Sequence, residues 1–303
     1  MTALHTSNDK HTKISIIGMG KVGTAVGYLL KSAGYAVVAV AGRSDASIAS
    51  GAKYSGGTPH ANPAQAAAKA SCIFITTTDD AIKPVCDTIS MEGAVGPDKI
   101  VVHMSGAGGL DLLESARASG AFVASIHPIQ TFATIDSAID TIPGSSFGIT
   151  AQEEIKAWCL QIVKDLGGIP FFITEEDKPL YHAAACIASN YLVTLINIVV
   201  EIYQSIGLSR EESINAFWPL VMGTIKNIPL HGTIQALTGP IARGDVGTVQ
   251  KHHEAFRNKL PHLLSFYQEM GLLAVDIALK KGTLSSDGAE NIKQLLMGGM
   301  TNE

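Results

Sequence analysis

The chain has 303 residues, 46% of them hydrophobic and 16% charged, and a formal net charge of −5, a balance that suits a globular protein of two domains and argues against disorder. It carries no basic block, so nucleic acid is not an expected partner. The four cysteines, Cys72, Cys86, Cys159 and Cys186, form no C-x-x-C pair, and Cys72 and Cys186, in apolar runs, read as reduced core residues, which suits a cytoplasmic protein.

The first dozen residues are polar, lack a signal-peptide pattern and read as a loose tail over 1–12. An apolar run at about 13–17 then meets Gly18-Met19-Gly20-Lys21-Val22-Gly23, a helical pattern over 21–33 and a second apolar run at 36–41. Three glycines spaced G-x-G-x-x-G between a strand and a helix mark a dinucleotide turn. They permit a tight bend, a close backbone approach to pyrophosphate and close helix–strand packing, and the helix N-terminus faces the phosphates. Gly18 to Gly23 are therefore the expected cofactor cradle. Where NAD-binding chains place an Asp or Glu on the ribose, this chain has Arg43 and Ser44. A guanidinium binds a 2′-phosphate through charge-assisted hydrogen bonds, so NADP(H) is the expected cofactor. Arg43 also suits a solvated strand end, with Ser44 capping the next helix.

Further apolar runs at about 72–76, 99–103, 122–126, 147–150 and 169–173 alternate with helical patterns at 63–70, 80–88, 109–118 and 151–166. The alternation predicts an α/β, doubly wound parallel Rossmann sheet over 13–174, with ligands beyond its C-terminal strand ends. The 72–76 run leads into Thr76-Thr77-Thr78-Asp79-Asp80, where Thr77, Thr78 and Asp79 suit the cofactor ribose, though an Asp79 or Asp80 helix cap fits equally. Ser105 and His127 fall just past strand ends and point to the reacting end of the cofactor. Histidine can neutralise oxygen charge left by hydride transfer, and a serine hydroxyl can donate to the same oxygen. A histidine bonded only to loop carbonyls would give the same pattern. Gly106 and Gln130, beside them, are expected to touch substrate.

After Thr174 the strand signal ends, and helices are predicted at about 178–206, 210–227, 245–258, 261–280 and 285–298, an all-α domain over 175–303. Between Lys178 and Glu201 there is no Asp, Glu, Lys or Arg, a span long enough to cross a bilayer. His182, Ser189, Asn190 and Asn197 would be costly against lipid, so a central buried helix at a subunit interface is expected, without a membrane. At about 100° per residue, Lys178, His182 and Ser189 share one stripe and Asn190 sits roughly 80° round from His182. That stripe is expected to face substrate or the polar side chains of neighbouring helices. Arg243, in Leu237-Thr-Gly-Pro-Ile-Ala-Arg-Gly-Asp245, suits a substrate carboxylate, directly or from a partner subunit, or an ion pair with Asp245. His252-His253 has no third ligand at metal spacing, so no metal is expected.

Taken together, Gly18-x-Gly20-x-x-Gly23, Val101-Val-His-Met-Ser-Gly-Ala107, His127-Pro-Ile-Gln-Thr-Phe132, Tyr181-His-Ala-Ala-Ala-Cys-Ile-Ala-Ser-Asn190 and the Leu237–Asp245 motif resemble a family that pairs a Rossmann-like domain with a helical C-terminal domain of unassigned function. That family is similar to the set holding pyrroline-5-carboxylate reductase, deazaflavin-dependent NADP reductases, 6-phosphogluconate and β-hydroxyacid dehydrogenases, and ketopantoate reductases. The resemblance implies a 6-phosphogluconate dehydrogenase C-terminal-like all-α dimerisation domain, a homodimer and NADP(H) chemistry. Ser105 with His127-Pro128 resembles the Ser…His-Pro arrangement of prephenate dehydrogenases. Lys178 to Asn190 stands where hydroxyacid dehydrogenases and ketopantoate reductases carry a catalytic Lys-x-x-x-Asn. The spacing departs here, since His182 comes four residues after Lys178. The resulting expectation is an NADP-dependent oxidoreductase acting on a small carbonyl or hydroxy compound bearing a carboxylate, with ketopantoate-type reduction the first candidate. A C=N reductase of the pyrroline type, a deazaflavin-dependent reductase and a non-catalytic NADP-binding sensor are the alternatives.

Overall fold

Ile14, Ile16 and Ile17 are buried side by side in the first strand, and a continuous apolar run of this kind recurs through the sheet because its central strands are covered on both faces. The structure is a computed structural model that describes residues 12–298; apart from Thr12, the tail expected over 1–12 lies outside the described residues. The chain divides into two compact units, Met1–Tyr191 and Leu192–Glu303.

The first unit runs β1 (Lys13–Ile17), α1 (Lys21–Ser32), β2 (Ala36–Ala41), α2 (Asp45–Ser55), β3 (Thr58–His60), α3 (Pro63–Ala68), β4 (Cys72–Ile75), α4 (Asp79–Met91), β5 (Ile100–His103), α5 (Glu114–Ala118), β6 (Phe122–Pro128), α6 (Ile135–Thr141), β7 (Ser146–Ala151), α7 (Lys156–Asp165), β8 (Ile169–Phe172) and α8 (Lys178–Cys186). A π-helical turn, Ile187–Tyr191, follows α8. The sheet order is β3-β2-β1-β4-β5-β6-β7-β8, which places the nucleotide crevice where the order reverses, between β1 and β4.

One face of the sheet packs Ile14, Ile16, Phe74, Val102 and Ile126 against Val26, Leu30 and the Trp158–Val163 turn of α7. The other packs Ile17, Ile73, Ile75, Val101 and Val123 against Ile82 and Ile89 of α4. The sheet is not wholly parallel, as the alternation of elements suggested. β7 runs antiparallel to β6, with His127 opposite Gly148, because the connection carries α6 over α1 and re-enters the sheet at the end where β6 leaves it. Three elements gave no clear sequence signal. β3 is a three-residue edge strand containing Pro59, α2 buries only Ile48, Gly51 and Ser55, and α6 buries only Ala138.

The second unit holds α9 (Leu192–Ser205), α10 (Arg210–Gln235), α11 (Val246–Lys259), α12 (Leu264–Lys281) and α13 (Ser286–Met297). Its small core gathers Val249, Val275, Ala278, Leu284, Ala289, Ile292 and Leu296. α10 continues eight residues past its expected end and bends at Gly232, whose φ is 78°. The expectation of a central buried helix is not met within the single chain. The helical span Lys178–Ser205 is long and apolar enough to cross a membrane by length and composition, yet only 6% of its apolar window is buried. Within the second unit α9 and α12 pack against α10, and Leu192, Val193, Trp218, Leu220 and Leu230 are exposed.

Candidate functional site

The end of β1 bends at Gly18, whose φ is 113°. A Cβ there would lie 2.6 Å from the Thr76 carbonyl carbon and the Thr77 nitrogen, so the β1 and β4 ends meet only through a glycine. Thr76 Oγ1 donates to Gly18 O at 2.7 Å and closes the joint. Gly23 is equally confined, since its Cβ would stand 2.1 Å from Gly18 O. Gly20 differs: a Cβ there meets nothing within 4 Å. Two glycines therefore serve packing, and the third faces free space at the start of α1. Met19 is 4% exposed and packs under Gly51, which leaves its backbone alone for a ligand. Lys21 is exposed and Val22 half-buried.

Arg43 is exposed at the end of β2, and among the described residues no carboxylate pairs with it. Ser44 caps α2, accepting from Ser47 N–H at 3.3 Å. At the end of β4, Thr77 Oγ1 is buried with no hydrogen-bond partner. Neither aspartate caps α4: the cap position is Thr78, with no side-chain cap bond, and Asp79 and Asp80 stand exposed in the first turn. Open space at Gly20, an unpartnered buried hydroxyl at Thr77 and a free guanidinium at Arg43 fit a phosphorylated dinucleotide.

The β5 and β6 ends form the other half of the site. His103, fully buried, accepts from Ser105 N–H through Nδ1 at 3.1 Å, so Nε2 carries its proton and donates to Gly109 O at 3.0 Å. Burial, and then the charge of Lys178, pull its pKa down to about 3. Glu175 accepts from Leu110 N–H at 2.7 Å, and Ser105 Oγ accepts from Gly108 N–H at 2.9 Å. The loop is thus pinned from within, and Ser105, 4% exposed, has its hydroxyl oxygen in that pinning.

Lys178 begins α8 and is 1% exposed. Its Nζ donates to Ser125 Oγ at 2.8 Å and reaches Ser105 O at 3.4 Å, and Ser125 Oγ in turn donates to Ser105 O at 3.2 Å. Burial pulls the Lys178 pKa down to about 8, against the opposing charges of Glu175 and Asp79. The lysine lies beneath the crevice as the pin of α8, which also holds the first turn of this helix against the sheet.

One turn on, Tyr181 Oη lies 2.8 Å from His127 Nδ1, with ring centroids 5.6 Å apart. The His127 and His182 rings stand 6.1 Å apart at 69°. Burial first, then the charges of Lys178 and His182, bring the His127 pKa down to about 4, and burial pushes Tyr181 up to about 12. A Cβ on Gly106 would lie 2.5 Å from His182 Cδ2, 2.7 Å from His127 Cε1 and 2.8 Å from His127 Nε2. Gly106, His127 and His182 therefore converge on one point. Cys186 Sγ lies 3.9 Å from each ring nitrogen of His182.

Other site expectations fall elsewhere. Ser189 and Asn190 sit in the π-helical turn, where the uniform rotation behind the predicted stripe breaks down. Ser189 is half-buried and Asn190 exposed. Gln130 bonds Ser145 Oγ at 3.4 Å and accepts from Thr131 N–H at 2.8 Å, lining a separate hollow with Thr141 and Pro143. Arg243 belongs to the second unit, in a hollow with Leu237, Thr238 and Lys281. Asp245 caps α11 through Thr248 instead of forming the ion pair weighed for Arg243. Among the described residues no group of three or more His, Cys, Asp or Glu is gathered to hold a metal. His103, Ser125 and Tyr181 are the site residues that sequence reasoning missed. Tyr181 had a signal, since it stands three residues after Lys178 and so on the same helix face.

A model described as a Rossmann-like domain matches residues 2–128, and one described as a domain of unknown function (DUF2520) matches residues 145–274. Among solved structures, protein TM1727 from Thermotoga maritima is similar at 25% identity and a TM-score of 0.70, with 88% of this chain and 99% of that chain covered. A reductive aminase from Aspergillus terreus in complex with NADPH and ethyl levulinate is similar at 19% identity and a TM-score of 0.62, over 93% and 98%. Pyrroline carboxylate reductase from Plasmodium falciparum with NADP bound is similar at 15% identity and a TM-score of 0.56, over 94% and 98%. The last two likenesses speak to fold alone. No curated protein matches the sequence. The Rossmann-like match thus covers the sheet as far as β6, and the DUF2520 match runs from β7 into the helical second unit.

Proposed function

We propose that the protein is an NADP-dependent oxidoreductase acting on a small carbonyl or hydroxy compound. The observation that carries this reading is the convergence of His127 and His182 over Gly106, at the same strand ends as the Gly18–Gly23 turn. Gly18 to Gly23 and Thr77 would hold the dinucleotide, and Arg43 its 2′-phosphate. When bound, NADPH supplies hydride. His127 holds the substrate oxygen and meets the charge that develops on it, and His182 closes the opposite wall. Ketopantoate-type reduction is the first candidate. C=N reduction is the second reading, supported by the likeness to a pyrroline carboxylate reductase and a reductive aminase. The uncovered apolar faces of α9 and α10 support a homodimer formed through the second unit, testable by sedimentation equilibrium. The lysine and tyrosine bonds that tie α8 to the sheet weigh against a membrane span.

The deciding experiment is NADPH oxidation against a panel of 2-oxo acids and cyclic imines, with His127→Ala and His182→Ala alongside. Turnover that falls in both variants is expected. Tight NADPH binding with no turnover on any compound, unchanged in both variants, would overturn the enzyme reading in favour of a sensor.

A further inference from the structure

Tyr181 reaches His127 by a built path. Lys178 pins the start of α8, Phe171 flanks the tyrosine ring at a centroid distance of 6.0 Å, and Gly148 clears its end. A Cβ on Gly148 would lie 2.6 Å from Tyr181 Oη, so the strand opposite His127 is hollowed where the hydroxyl enters. The phenol stays protonated, since burial holds its pKa near 12, and His127 stays neutral, since burial holds its pKa near 4. A neutral imidazole has one donor and one acceptor nitrogen, and the partner of one fixes the role of the other. The phenol is the stronger donor of the pair, so Nδ1 accepts and Nε2 keeps the ring proton. Nε2 lies on the Gly106 side of the ring, away from Tyr181, 2.8 Å from where a Cβ on Gly106 would stand.

We propose that Tyr181 locks His127 in its Nε2–H form, so that the site takes a neutral ketone or aldehyde and turns away a protonated iminium. This rests on the oxidoreductase reading for its substrate half; the tautomer stands on geometry alone. A carbonyl oxygen offers a lone pair to Nε2–H. A protonated iminium nitrogen offers only N–H, and would meet Nε2–H donor to donor. Hydride transfer to the carbonyl carbon leaves an alkoxide. As Nε2–H breaks and the substrate O–H forms, the Tyr181 O–H bond breaks and Nδ1–H forms. A water proton entering at Nε2 then returns the Nδ1 proton to the tyrosinate and resets both groups. Tyr181 is thus a positioning residue that acts through His127.

The test is long-range proton–nitrogen NMR of the histidine rings in the full-length protein, with His127→Gln assigning the signal. The Nε2–H pattern is expected in the native protein at neutral pH, with an Nδ1–H fraction appearing in Tyr181→Phe. A native Nδ1–H pattern, or an unchanged one in Tyr181→Phe, overturns the tautomer. Kinetics are then read with ketopantoate and with 1-pyrroline at a pH where the imine is protonated. Ketopantoate turnover without 1-pyrroline turnover is expected, and kcat on the former should fall about 10–100-fold in Tyr181→Phe with KM little changed. Faster turnover of protonated 1-pyrroline overturns the substrate class. Turnover of neither overturns the substrate half, the panel of 2-oxo acids and cyclic imines decides the oxidoreductase reading, and the NMR result decides the tautomer.

Discussion

Lys178 Nζ lies 2.8 Å from Ser125 Oγ, joining residues 53 apart in sequence inside the protein. Ser125 passes the contact on to Ser105 O, so one ammonium ties α8 to the ends of both β5 and β6. Lys178→Ala leaves the buried Ser125 Oγ without its donor and opens a cavity, at a cost of about 3 kcal/mol. Lys178→Met keeps the volume but leaves the same oxygen without its donor, so it costs about 1–2 kcal/mol, less than Lys178→Ala. Urea unfolding midpoints of the two variants check this. Equal midpoints for Lys178→Ala and the native protein would show that the bond pins nothing.

Gly106 is the floor between the two histidines. In Gly106→Ala the new methyl must displace His127 or His182, and misplacement by about 1 Å can lower turnover on the order of 100-fold. Thr77 and the Gly18–Gly23 turn are untouched, so NADPH affinity should hold. Titration of NADPH by fluorescence beside steady-state rates separates the two effects; a fall in affinity equal to the fall in rate would place Gly106 against the cofactor instead.

The sheet was legible in the sequence where burial on both faces forces a continuous apolar run, as in β1, β4 and β5. It was not legible in β3, α2 and α6, which bury at most three residues each, β3 none, and leave little period to read. The reversed direction of β7 has no local signature, since strand direction is set by where the chain re-enters. His127 and His182 were legible as polar residues at a strand end and on an apolar helix. Tyr181 carried only its three-residue spacing from Lys178 as a signal, and Ser125 was hidden because it lies inside a strand. Ser189 was misplaced by extending an α-helical period through a π-helical turn.

Arg43 is exposed and without a carboxylate partner, which leaves its fork of donors open to a 2′-phosphate. Arg43→Ala removes charge-assisted bonds that contribute roughly 1.5–3 kcal/mol each, so the ratio of NADH to NADPH dissociation constants should fall about tenfold or more. The check is calorimetric titration with both cofactors. A ratio that does not move assigns Arg43 to a solvated strand end.

Gly20 and Gly23 separate binding from folding. Gly20 has extended backbone with φ −83°, and its added methyl meets nothing, so Gly20→Ala should fold as the native protein and lose NADPH affinity. Gly23→Ala drives a methyl to 2.1 Å from Gly18 O and 2.3 Å from Thr76 Oγ1, so it should lower the unfolding midpoint itself. Native affinity in a folded Gly20→Ala protein would mean that the pyrophosphate does not sit over this turn.

His103 and His127 carry the acid sensitivity of the first unit. Both are bases held neutral by burial, with pKa values near 3 and 4 against an ordinary 6.5. Below pH 6.5 the unfolded chain binds protons that the folded chain refuses. The stability present above pH 6.5 is therefore lost as the pH falls towards 4, by up to about 1.4 kcal/mol per pH unit for each histidine. Lys178 does not titrate in this window, because its folded pKa is about 8 and its unfolded value higher still. His103→Gln should lower stability at neutral pH, since Gln cannot reproduce both ring bonds to Ser105 N–H and Gly109 O. It should also flatten the slope of unfolding free energy between pH 4 and 6.5 by about one proton. Urea unfolding of the native protein and the variant across that range reads the slope directly. Parallel slopes would mean that His103 is protonated in the folded state, and the loop from Ser105 to Gly109 would then need another anchor.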